Sequence, residues 1–206
     1  MTKTNLFLAT LTIAAAPLSA APELTVRIYN YANVDAATVR EAAESAREIY
    51  RGSGVETRWL ICELPDREAD FDDPCTDSAG PETLRMRIVA RPPAKHDGVN
   101  HLVFGFALPK KDGFGTAASV FWSKISETAE LSKVTAAQLL STVMAHEAGH
   151  LLLGFNSHTG QGLMGARWDK ARFTKISQGG LTFVGKQKKR VLAGAEARLV
   201  AQVDAD

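Results

Sequence analysis

The sequence predicts an α+β fold: a mixed, twisted sheet of about five strands, a helix backing it, a long apolar helix, and a small helical part at the C-terminus. Three observations carry this. Apolar residues alternate along Leu24, Val26 and Ile28; a capped Ala- and Glu-rich stretch follows them; and a later apolar stretch runs between Thr135 and Gly154.

The elements follow in order. Leu24, Val26, Ile28 and Tyr29 mark the first strand. Asp35 is placed to cap a helix that Ala, Glu and Arg favour through Tyr50, and Gly52 and Gly54 stop it. Val55 to Cys62 reads as a second strand, and Glu63 to Pro81, rich in Asp and Pro, as a loop. Leu84, Met86, Ile88 and Ala90 alternate with Arg85, Arg87 and Val89 in a third strand ending at Pro92-Pro93. His101 to Leu108 and Ala117 to Ile125 are the fourth and fifth, with a turn at Gly113 and Gly115. Thr135 caps a long helix through Leu153, and a weaker helix covers Lys188 to Gln202. No repeat or linker divides the 206 residues, so one domain is expected.

Composition excludes several classes. Hydrophobic residues are 45% and charged residues 23%, as in folded globular chains. Lys and Arg number 24 against 23 Asp and Glu, so no basic excess points to nucleic acid or a membrane surface. The start of the chain reads as a signal peptide over residues 1–20: Lys3, the apolar run Leu6 to Ala16, then Pro17-Leu18-Ser19-Ala20 with cleavage after Ala20. The run is too short to span a bilayer, and no cysteine near the cut offers a lipid anchor. Residues 21–206 are then a single exported domain, secreted or periplasmic, with no membrane anchor after processing. In an oxidising compartment Cys62 and Cys75 are expected to pair, two free thiols being the alternative. The acidic residues between them, Glu63 to Asp73, lack the alternation and glycine of a calcium loop and read as solvated. Too little chain precedes the first strand for an inhibitory pro-domain, so an enzyme here is expected to be exported active or controlled by another protein.

The chemistry lies in His146-Glu147-Ala148-Gly149-His150. Residues four apart on a helix are about 40° apart around the axis, so both imidazoles reach one metal from one face. Glu147 projects beside them, where it can take a proton from a water activated by zinc and deliver it to a leaving group. Val143, Met144 and Leu151 to Leu153 would anchor the helix. A catalytic zinc takes three protein ligands. His158, beyond a turn at Gly154, is the nearest third candidate; Asp169 or another downstream carboxylate is the alternative. Met164 follows in the glycine-flanked turn Gly162-Leu163-Met164-Gly165.

His146, Glu147, His150, Gly154, His158 and Met164 together resemble the zinc signature of the metzincin clan of metallopeptidases. The resemblance implies a zincin fold and a zinc ion on His146, His150 and His158. It also implies Glu147 as general base, a methionine turn at Met164 under the metal, and a fourth strand forming the edge that pairs with substrate. The segment is similar, too, to uncharacterised secreted bacterial proteins with this glycine, histidine and methionine arrangement. The spacing departs from the clan's. Gly154 is four residues after His150 and His158 four after Gly154, where the clan has three and three. No tyrosine follows Tyr50, so a tyrosine beside the methionine turn is absent.

The expectation is a monomeric, zinc-dependent hydrolase of peptide bonds acting on a peptide or protein. The alternatives are a zinc-stabilised binding protein without catalysis, and a zinc hydrolase of another amide such as cell-wall material. Plainer readings stand beside several residues: Met164 and Trp168 as core, His96 and His101 as loop and strand-end histidines, and Lys186, Lys188, Lys189 and Arg190 as a solvated helix start.

Overall fold

The computed structural model describes residues 23–62, 75, 80–93, 103–111 and 115–203. Its elements run β1 (Glu23–Asn30), α1 (Ala36–Arg51), β2 (Glu56–Cys62), β3 (Thr83–Val89), β4 (Gly105–Ala107), β5 (Ala117–Phe121), α2 (Trp122–Ser132), α3 (Ala136–Leu153), α4 (Lys170–Ser177) and α5 (Lys186–Val203). The expected leader, the acidic loop, His96 and His101 lie outside the described residues.

The sheet has the order β2-β1-β3-β5-β4. β1 pairs in parallel with β2 and β3, and β3 with β5, while β4 lies antiparallel on β5. Period two drives this pairing. Leu24, Val26 and Ile28 of β1, Leu84, Met86 and Ile88 of β3, and Ala118 and Val120 of β5 are all buried. Asp35 caps α1 as its position suggests, accepting from the Ala37 and Thr38 amides at 3.1 and 2.9 Å. Cys62 and Cys75 form a disulfide that closes the chain beyond β2. Arg27 and Tyr29 of β1 both donate to the Cys75 carbonyl.

Helix α3 is the spine of the molecule. It packs against α1, β4 and β5. From Leu139 to Leu153 every residue but His150 is buried, which makes it a helix apolar all round rather than a striped surface helix. Its start is a capping box: the Gln138 amide donates to Thr135 Oγ1 at 3.0 Å and the Thr135 amide donates to Gln138 Oε1 at 2.9 Å. Tyr50 of α1 donates its hydroxyl to the Ala145 carbonyl at 2.9 Å, tying the C-terminal end of α1 to the middle of α3. Among the described residues no helix is long and apolar enough to cross a membrane.

Four expectations are corrected. The fifth strand ends at Phe121, and α2 takes over at Trp122. Ile125 and Ala129, four apart and both buried, carry the helical spacing that a strand to Ile125 overlooks. α4 was not expected, although Asp169 caps it at the Arg172 amide (3.0 Å) and Phe173 and Ile176 bury one face. α5 begins at Lys186, two residues early, with Lys186, Lys188, Lys189 and Arg190 exposed as a helix start should be. The described fourth strand is only Gly105–Ala107.

Thr135→Ala removes a reciprocal cap from the helix that everything else packs on. It is expected to cost about 1 kcal/mol of unfolding free energy, read from urea denaturation at unchanged m-value. Equal stability would mean that packing alone sets where α3 starts.

Candidate metal centre

His146 and His150 project from one face of α3 because they are one helical turn apart. His158 comes to meet them through a turn that only particular residues permit. Gly154 ends α3 at φ 75°, ψ −162°. This is positive φ, as expected of a helix-ending glycine, but an extended glycine conformation rather than a left-handed helical one. Asn156 then adopts φ 55°. The chain doubles back, and the longer spacing between second and third histidines is absorbed in this turn.

The three Nε2 atoms form a triangle. His146 to His150 is 3.1 Å, His150 to His158 3.1 Å, and His158 to His146 3.3 Å. Hydrogen bonding cannot account for all three contacts. Each Nε2 either carries a proton or presents a lone pair, so at least one pair in a triangle must be alike and repel. A cation at the centre makes every contact favourable. Three nitrogen ligands about 2.0–2.1 Å from a tetrahedral zinc stand about 3.3–3.4 Å apart, close to the observed triangle. Among the described residues this is the one group of three or more such side chains that could hold a metal.

Partners of the other ring nitrogens agree. His146 Nδ1 lies 2.8 Å from the Leu163 carbonyl, which can only accept, so the neutral ring carries its proton there and presents a lone pair at Nε2. His150 Nδ1 lies 2.7 Å from the Ser157 hydroxyl, itself buried. Burial, then the neighbouring His150, pushes the His146 pKa down to about 3. Burial, then His158, pushes His150 to about 4. His158 is lowered by burial and by Arg172. All three are therefore neutral at pH 7, the form that binds metal.

Glu147 is buried and lines the same cleft as the triangle. Burial pushes its carboxyl up to about 8; a cation on the histidines would act the other way and favour the carboxylate. Room for it comes from β4. A Cβ on Gly105 would fall 2.9 Å from Glu147 Cγ and 2.6 Å from the Ser119 carbonyl oxygen. The cleft, about 700 Å³, is walled by Phe104, Phe106, Phe155 and Trp168. Trp168 is half-buried: it packs on the core and also lines the cleft, edge-on to Phe104 at 4.8 Å and to His146 at 5.8 Å.

Met164 is fully buried, and its sulfur lies where a Cβ on Gly149 would come within 2.7 Å. It thus packs on α3 between the two helical histidines. Asp169 also lines the cleft, but its carboxylate caps α4 and it does not join the histidine group. Sequence reading does not find Ser157, Gly105 or Arg172. Ser157 sits beside His158, where a polar loop residue carries no signal of its own. Gly105 announces itself only when Glu147 is seen against it. Arg172 donates to the Gly162 and Leu163 carbonyls, a relation that needs the fold.

No protein-family model matches the chain, and no curated protein matches it in sequence. Solved structures do. A zinc-dependent peptidase from Methanocorpusculum labreanum superposes with TM-score 0.52 at 12% identity, covering 81% of this chain and 99% of that one. Archaemetzincin from Methanopyrus kandleri gives TM-score 0.51 at 13% identity, covering 88% and 99%. Metalloproteinase-II from Bacteroides fragilis gives 0.51 at 14%, covering 86% of this chain and 55% of that one. The fold is therefore that of zinc-dependent peptidases, an α+β domain with a mixed five-stranded sheet.

Two outcomes are expected. Purified protein should carry about one zinc per chain by elemental mass spectrometry, and His158→Ala should lose most of it; retention of zinc by the variant would remove His158 from the ligand set. In chelator-treated protein, Glu147 has its folded pKa raised from 4.5 to about 8. The stabilising effect of its protonation is therefore full below pH 4.5 and lost as pH rises to 8. Glu147→Gln should then be the more stable metal-free chain above pH 8, by up to roughly 5 kcal/mol, with the gain vanishing below pH 4. A gain independent of pH would mean that the carboxyl is not held in its neutral form.

Proposed function

We propose that the chain is a zinc-dependent metallopeptidase, exported and active as a monomeric single domain spanning residues 21–206 after loss of residues 1–20. One observation carries the reading: three imidazole nitrogens converge on a point in a cleft that also holds a buried glutamate from the same helix turn.

His146, His150 and His158 hold the metal. Bound there, zinc supplies Lewis acidity, lowering the pKa of water toward about 7 and polarising a carbonyl oxygen. Glu147 takes a proton from the attacking water and delivers it to the departing amide nitrogen, the role its place beside the triangle suits. β4 lines the cleft beside Glu147 and the histidines, where an extended peptide adding a strand to the sheet would carry its backbone past them. Phe104, Phe106, Phe155 and Trp168 offer an apolar wall for a substrate side chain. Met164, against Gly149, keeps the helix turn bearing both histidines in place. The Cys62–Cys75 disulfide supports export to an oxidising compartment.

The test is turnover of a mixed peptide panel by the zinc-loaded chain, beside Glu147→Gln. The variant should keep zinc and lose roughly 10²- to 10⁴-fold in rate. Zinc binding with no turnover of any peptide, and equal behaviour of the variant, would favour a non-catalytic zinc protein. Turnover confined to a cell-wall amide would move the substrate class.

A further inference from the structure

The two residues that orient the helical histidines differ in kind. His150 leans on a hydroxyl, which rotates to suit, whereas His146 leans on a backbone carbonyl, which goes where its turn goes. That turn is held by a side chain from α4. Arg172 is buried, and its Nη2 donates to the Leu163 carbonyl at 2.6 Å while Nη1 donates to the Gly162 carbonyl at 3.0 Å. The Leu163 oxygen therefore takes two donors, one on each lone pair: His146 Nδ1–H and Arg172 Nη2–H. The turn is shaped around the guanidinium. A Cβ on Gly165 would lie 2.5 Å from Nη1, and Gly162 takes φ 73°. The guanidinium also stacks on Trp168, with 4.2 Å from its carbon to the ring centroid, and Trp168 lines the cleft edge-on to His146.

We infer that Arg172 is a positioning residue of the metal centre: its planar fork holds two successive carbonyls so that one of them fixes the ring of His146, and its flat face holds Trp168 as a wall of the cleft. The inference rests on the histidine triangle being a metal site. Positive charge alone would not serve, since a cation near three imidazoles works against a bound metal. What Arg172 supplies is geometry, and lysine, a single point donor, cannot reproduce a fork and a stacking face together.

The experiment measures zinc affinity by competition with a chromophoric chelator for the parent, Arg172→Met and Arg172→Lys. Circular dichroism and the melting temperature of each metal-free chain are recorded alongside. Loss of a group that orients a ligand typically weakens metal binding 10- to 100-fold. Both variants are expected to fall in that range while folded, Lys included despite its charge, and the absorption bands of their cobalt forms should shift. A residue that only braced the fold would lower the melting temperature and leave the affinity of the folded chain alone. Zinc affinity within about twofold of the parent in either folded variant overturns the inference. The lysine variant keeps the experiment decisive even where the methionine variant does not fold. If the parent itself binds no zinc, the triangle reading fails, and this inference falls with it before any variant is compared.

Discussion

Helix α3 has to be buried on every side and still deliver three polar groups to a cleft. Its apolar residues are what the sheet and α1 close around. Its polar ones are therefore placed in or beside the core, with His150 half-exposed at the cleft. Ser141 and Thr142 turn their hydroxyls back to the Gln138 carbonyl. His146, Glu147 and His150 have no such local recourse, and an unpaired buried polar group costs on the order of 1–3 kcal/mol. Leu163, Ser157 and the third histidine answer that demand for the two imidazoles from outside the helix, while Glu147 faces the cleft. The same burial sets the chemistry. It keeps the imidazoles neutral, the form in which they can take a cation, and raises the carboxyl.

The chain beyond α3 can be understood through the carbonyls that a helix leaves unpaired at its C-terminus. The Gly154 amide takes the His150 carbonyl at 2.9 Å, Arg198 donates to that of Leu151 at 2.8 Å, and Arg190 to that of Leu153 at 2.8 Å. Gly194 lets α5 approach so closely that a Cβ would fall 2.4 Å from the Leu152 oxygen. Gln187 donates to Thr159 and Gln161, and Arg172 to Gly162 and Leu163. The C-terminal helices thus act through long donor side chains that reach into the loop bearing His158 and Met164. Arg198 also reaches the Pro81 and Gly115 carbonyls, at 2.6 and 2.7 Å, linking that end of α3 to the approaches of β3 and β5.

Much of this was open to reading from local pattern, because pattern and cause coincide there. The alternation of β1 and β3, the caps at Asp35 and Thr135, and the one-turn spacing of His146 and His150 each follow from geometry within a few residues. Reading failed where a short apolar run suited two periods. Val120, Phe121 and Ile125 continue a strand on paper, yet the chain turns into α2 at Trp122. It failed again at α4, whose eight residues bury only Arg172, Phe173 and Ile176 and give too weak a stripe to stand out.

By itself the sequence determined an α+β chain with a long buried helix, the cysteine pair and the two imidazoles and carboxylate that share a helix turn. Those depend on periods and caps that neighbouring residues impose. The approach of His158 across a longer connection, the capping rather than ligating place of Asp169, and the space Gly105 leaves for Glu147 were decided only in the folded molecule. So was the grip of Arg172 on the turn behind His146. Each of these is a contact between segments that the chain holds apart, and a backbone carbonyl or an absent Cβ leaves no mark in a sequence until the fold brings its partner to it.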